Sequence, residues 1–171
     1  MKQVNGSRTL FWFRRRWRAT CISLFPPLCA FTFFACTARA ADNDWRTAVF
    51  PSGAAFTLEI ADDAASLQRG YMFRDHVGEH DGMLFIFDAS DVHGFWMKNC
   101  LVSLDIIWLD ERLRVVDIAR DRQPCPPDGE CPNVRPMRVA RYVLEVAAGT
   151  SQREGLKLGD QVVLIRSSGG S

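Results

Sequence analysis

The stretch GFWMKNCLVSLDIIWLD, Gly94 to Asp110, decides how the rest of this chain is read. It is apolar and aromatic enough to belong inside a fold, yet Lys98, Asn99 and Asp105 interrupt it. Its two halves, GFWMK and LDIIWLD, are short and rich in β-branched and aromatic residues, which reads as two strands. On a strand, Phe95, Met97 and Asn99 point to one face while Trp96 and Lys98 point to the other.

Outward from this stretch the pattern stays close to period two. AAFTLEIA places Phe56, Leu58 and Ile60 on one face and Thr57 and Glu59 on the other, a half-buried strand. MLFIFD (Met83 to Asp88) is apolar on both faces, as expected of a central strand. LRVVDIAR, RYVLEVA and QVVLIR complete seven strand candidates, the spacing of a mainly β, compact single-domain barrel or sandwich. One or two short helices are expected. DDAASLQRGYM starts at Asp62 or Asp63 as N-cap and stops at Gly70, while TSQREGLKLGD starts at Thr150 or Ser151 and stops at Gly155. LDERLR reads as a tight hairpin, and the tail SSGGS (167–171) as disordered.

The first forty residues differ from the remainder. They hold seven basic residues and no acid, leaving fourteen basic and twenty acidic residues in 41–171. The cluster RRRWR, the apolar run ATCISLFPPLCAFTFFACTA and the small-residue site ARAA have the form of a secretory signal, with cleavage expected after Ala40. An uncleaved anchor is the competing reading, but Pro26 and Pro27 break the span well short of the roughly 20 residues a bilayer needs. A lipidated Cys36 in FFAC and a twin-arginine signal in RRRW stay open. The expected organisation is a signal peptide at 1–40, a lead-in at 41–54, the domain at 55–166 and the tail. The expected location is the periplasm or cell envelope. An acidic domain without a basic stripe excludes nucleic acid as the expected partner, because phosphate binding rests on clustered Lys and Arg. Membrane attachment is expected only through the signal or the Cys36 anchor.

Cysteine usage fits export. Cys125 and Cys131 flank the Asp-Gly turn of CPPDGEC, inside a loop with five prolines between Arg120 and Arg138, and a disulfide between them is expected. A zinc site lacks the other ligands. Cys100 reads as a small buried apolar residue.

Few constellations point to chemistry. His76 and His80 stand four apart in HVGEHDG, but Gly78 and Gly82 make this a turn, so helical metal-ligand spacing does not apply. Asp105, beside Leu104, Ile106 and Ile107, is either a buried structural acceptor or a general base. GxSxG, P-loop, dinucleotide-binding and HExxH patterns are absent, no cofactor is expected, and whether the chain is an enzyme stays open. Trp96 with Lys98 is either a lysine lying over an indole or one wall of a pocket for an anionic or saccharide-like ligand. Arg69 and Arg74, flanking GYMF, would supply its second cationic side, with Asn99 and Asp105 fixing local geometry.

QRGYMFR, GMLFIF, FWMKN, LDIIWLD, the PC…CP loop, RYVLEV and GLKLGD, in this order, resemble the prokaryotic domain of unknown function family 192 (DUF192, UPF0127-type). Tyr71 stands where that family usually has Leu, and Cys100 where it usually has Thr. The resemblance implies a compact, mainly β domain, often exported, and supplies no catalytic residues. Three functions compete: a ligand-binding or accessory module of the envelope, a structural or protein-interaction module, and a hydrolase using Asp105.

Overall fold

The computed structural model describes residues 45–166. The expected signal peptide with Cys36, and the expected disordered tail, lie outside the described residues. The elements in order are β1 (Trp45–Val49), β2 (Ala55–Ala61), α1 (Ala64–Arg69), β3 (Asp81–Asp91), β4 (Leu104–Leu109), β5 (Val115–Arg122), β6 (Ala140–Ala147), α2 (Thr150–Arg153) and β7 (Val163–Arg166).

The protein is mainly β, one seven-stranded sheet in the order β5-β4-β6-β3-β2-β1-β7. Only β2 and β3 run parallel, joined by α1 as the crossover that a parallel pair requires. β3 sits at the middle of the sheet, as its two apolar faces predict. An isolated Arg114–Gln161 bridge brings the start of β5 to the chain ahead of β7. Val115 N donates to Asp160 O and Val162 N to Leu113 O beside it. The two ends of the sheet thus approach one another, but no continuous ladder closes them into a barrel.

Six of the seven expected strands form, and one is exchanged. GFWMK is a connection, held by a single bridge between Phe95 and Val134. The seventh strand is β1, inside the expected lead-in, where Val49 pairs with both Ala55 and Val163. The exchange has a physical cause. An extended connection lying on a sheet alternates its side chains as a strand does, so Phe95 and Met97 insert into the core and Trp96 and Lys98 face outward without a ladder.

Both faces of the sheet are covered, and β4 shows it most plainly, with all six residues buried. Ile107 and Leu109 join Phe56, Leu58, Leu84, Leu144 and Val146 on one face. Leu104, Ile106 and Trp108 join Met83, Phe85, Val143, Tyr71, Met97 and Cys100 on the other. α1 and the connections 92–103 and 123–139 cover this second face and carry the site.

α1 forms where expected. Asp63 caps it by accepting from the amides of Ala65 and Ser66 at 2.8 and 3.0 Å, Ser66 reciprocates, and Gly70 ends it at φ +47°. α2 departs from expectation: its N-cap is Gly149 at φ +81°, not Thr150 or Ser151. Its first amides are satisfied from elsewhere, because Asp105 Oδ1 accepts from Gly149 N at 3.1 Å and Oδ2 from Ser151 N at 2.7 Å.

Candidate functional site

The end of α1, the turn after it and the 92–103 connection enclose two adjoining grooves, of about 320 and about 360 Å³. These volumes lie at the lower end of small-molecule sites, roughly 300–1,000 Å³. Gln68, Arg69, Met72 and Trp96 line both. Ala65, Phe73, Lys98 and Asn99 complete the outer groove. Arg69, Trp96, Lys98 and Asn99, which the sequence placed in one candidate site, thus meet in space. Lys98 Nζ stands 5.2 Å from the centre of the half-exposed Trp96 ring, an attraction between ammonium and indole face. Among the described residues no carboxylate forms an ion pair with Arg69 or Lys98.

The rim of this groove is strained. Asn99 has φ +57° in a turn closed by Cys100 N donating to Met97 O, a position where asparagine is favoured. Its carbonyl accepts from Phe73 N at 2.8 Å, and Phe73 has φ +64°. A bulky residue in the left-handed region is costly. Phe73 nevertheless has 70% of its surface exposed, so burial does not repay its conformation.

The CPPDGEC loop positions the same segment. Cys125 and Cys131 form the expected disulfide. Cys125 N donates to Met97 O at 3.3 Å, and Val134 exchanges hydrogen bonds with Phe95 at 2.8 and 2.6 Å. The stapled loop therefore holds the residues on either side of Trp96.

Two of the sequence candidates stand apart. Arg74 forms a two-pronged ion pair with Glu59 and lies 5.2 Å over the Tyr71 ring. That hydrogen-bonded guanidinium holds the Glu59 carboxyl below its usual range. Arg74 lines neither of these two grooves; it shares a third, of about 250 Å³, with Arg69 and Glu59. Asp105 is fully buried, and accepts from Asp121 N, Gly149 N, Ser151 N and Ser151 Oγ. Its position joins β4, β5 and α2, not a groove. His76 and His80 lie in a loop, and the described residues contain no cluster of metal-ligating side chains.

The inner groove holds the residue that sequence reading missed. Glu145, on β6, lines it, is 4% exposed, and its Oε2 has no hydrogen-bond partner among the described residues. Burial pushes its carboxyl up to about 8. Tyr71, Phe85, Phe87, His93, Phe95 and Trp96 line the same groove. Phe95 meets Phe85 edge-on at 4.9 Å, and His93 stacks on Phe87 at 3.6 Å. Burial also raises the Tyr71 hydroxyl, and it raises the Cys100 thiol to about 11. Gly70 keeps the approach open: a Cβ there would lie 3.1 Å from the Phe85 ring and 3.4 Å from Glu145 Oε2.

Glutamate in RYVLEV was the available signal. Period two set it opposite Leu144 and Val146, which reads as the solvent side unless the second face is known to be covered.

Comparison with known proteins gives fold and family. A 1.22 Å crystal structure of a protein of unknown function from Novosphingobium aromaticivorans is 33% identical, with TM-score 0.62 over 68% of this chain and 81% of that one. A 1.55 Å structure of a proposed transcription regulator from Sinorhizobium meliloti is 28% identical, with TM-score 0.62 over 69% and 90%. No curated protein matches significantly. The model of the DUF192 family, described as an uncharacterized ACR, matches residues 47–164, from within β1 into β7 and across every residue of both grooves. The chain belongs to the DUF192 family.

Proposed function

We propose that this domain is an exported, envelope-located binding module for a small anionic saccharide, held across the two grooves. The observation that carries the reading is Lys98 set 5.2 Å over Trp96 in a groove that Arg69 also lines. An indole face suits the C–H face of a sugar ring, and two cations without ion-pair partners among the described residues suit its negative charge. Gln68 and Asn99 add amide groups for hydroxyls. The basic leader and the disulfide favour the envelope as its location.

A thermal-shift series with glucose 6-phosphate, glucuronate and glucose tests the reading. The two anionic sugars are expected to raise Tm more than glucose, and Trp96→Ala and Lys98→Ala to abolish the difference. Absence of stabilisation by any anion or saccharide, with Lys98→Ala unchanged, would remove its basis. An alkaline phosphatase fusion to residues 1–54 tests export, with activity expected only if the reporter crosses the membrane.

A protein-interaction role is the second reading, favoured by the exposed Phe73 beside Trp96. Retained Tm in Phe73→Ser with no sugar response in either protein would favour it.

A further inference from the structure

Glu145 is unusual within this fold. A buried carboxyl ordinarily finds a partner, because leaving one unpaired costs free energy. Its neighbours across the sheet, Met83 on β3 and Ile106 on β4, carry no polar group. The titratable and charged residues lining the groove around it are Tyr71 after α1, Cys100 and His93 in the 92–103 connection, and Arg69 at the end of α1.

We propose that the inner groove is a subsite for the acyl carbonyl oxygen of an N-acylated anionic sugar, and that Glu145 hydrogen-bonds this oxygen. The proposal rests on the saccharide reading of the outer groove and extends it inward. With its carboxyl raised to about 8 and the Cys100 thiol to about 11, Glu145 and Cys100 keep their protons at neutral pH, as does the Tyr71 hydroxyl. The recess therefore offers donors and takes an acceptor. An ammonium group would first have to displace the Glu145 proton. A charged oxygen would be desolvated beside that carboxyl, and the two residues opposite Glu145 on the neighbouring strands, Met83 and Ile106, supply no cation to compensate it. An uncharged carbonyl meets neither obstacle, and the Phe85 and Phe95 rings supply apolar walls for the rest of an acyl group. Arg69, which lines both grooves, is placed for the sugar's negative charge nearer the mouth.

A matched pair of sugars tests this. N-acetylglucosamine 6-phosphate and glucose 6-phosphate differ at the acylated position and share the phosphate. Titration calorimetry on the full chain at pH 6.5 is expected to give a preference for the acylated sugar of about tenfold, the worth of one hydrogen bond. The preference is expected to fade as pH rises through about 8 and Glu145 ionises. Glu145→Gln, which keeps a donor but does not titrate, is expected to retain the preference at both pH 6.5 and pH 9.5. Glu145→Leu removes a buried unpaired carboxyl, so it is expected to fold and to lose the preference. Equal binding of both sugars, or a preference that survives in Glu145→Leu, overturns this inference and leaves the outer-groove reading standing. Binding of neither sugar overturns both.

Discussion

Ser151 donates both its backbone amide and its hydroxyl to one oxygen of Asp105, at 2.7 and 2.6 Å, across 46 positions of sequence. The other oxygen accepts from Asp121 N and Gly149 N. One side chain on β4 thereby satisfies β5 and the first turn of α2. Replacing it leaves three amides and a hydroxyl without their acceptor. Asp105→Ala is expected to lower stability by about 3–5 kcal/mol in urea unfolding. A loss under 1 kcal/mol would show that these donors find other partners. None of Asp105, Asp121, Gly149 and Ser151 lines either groove, so any folded Asp105→Ala protein should keep its ligand affinity.

Glu145 predicts a pH dependence of stability. Its folded value, about 8, lies above the ordinary 4.5 of a glutamate. The folded state thus holds the proton more tightly, and this contribution is fully present below about pH 4.5. It is lost progressively as pH rises, with the loss complete above about 8. Glu145→Gln lacks that dependence. Thermal melts from pH 5 to 9 should show the wild type falling relative to the variant, by an order of a few kcal/mol. Parallel curves would mean that Glu145 is solvated or paired.

Phe73 predicts the opposite sign of mutational effect. Its left-handed conformation is strained and its side chain is exposed. Phe73→Gly should raise stability by about 1 kcal/mol, since glycine takes that conformation without a clash. If Phe73 contributes to binding, the same protein loses affinity for anionic sugars. Destabilisation by Phe73→Gly would show that the ring makes contacts worth more than the strain.

The disulfide predicts a modest but measurable effect. Closing so short a loop contributes about 2 kcal/mol by the chain-entropy account. The Cys125→Ser, Cys131→Ser protein should lose about that much stability. Its reach should extend to the groove, because the loop holds Phe95 and Met97 by backbone hydrogen bonds. Weaker sugar binding beyond that explained by unfolding is therefore expected.

Cys100 gives a check on the second face. It is buried, and its thiol is raised to about 11. Alkylation of the native protein at pH 8 should be slower than in urea by orders of magnitude. Fast native labelling would mean that the 92–103 connection opens readily.

Local chemistry made much of this molecule legible. Asp63 and Gly70 mark the ends of α1, since a carboxyl that accepts amides and a residue free to take φ +47° act within a few positions. Alternation marked β2, runs rich in β-branched and aromatic residues marked β4, β5 and β6, and the spacing of Cys125 and Cys131 admitted their bridge. Trp96, Lys98 and Asn99 lie within four positions of sequence, and they line one groove with Arg69.

Partners distant along the chain settled the rest. Whether an alternating segment becomes a strand depends on a neighbouring edge. Val49 finds Ala55 and Val163, whereas Phe95 finds only Val134. Whether an arginine is available depends on what it meets, and Arg74 meets Glu59. Whether a glutamate opposite Leu144 is wet or buried depends on what lies over that face. α1 and the 92–103 connection lie there, and burial beneath them turns an ordinary carboxyl of RYVLEV into one that keeps its proton at neutral pH.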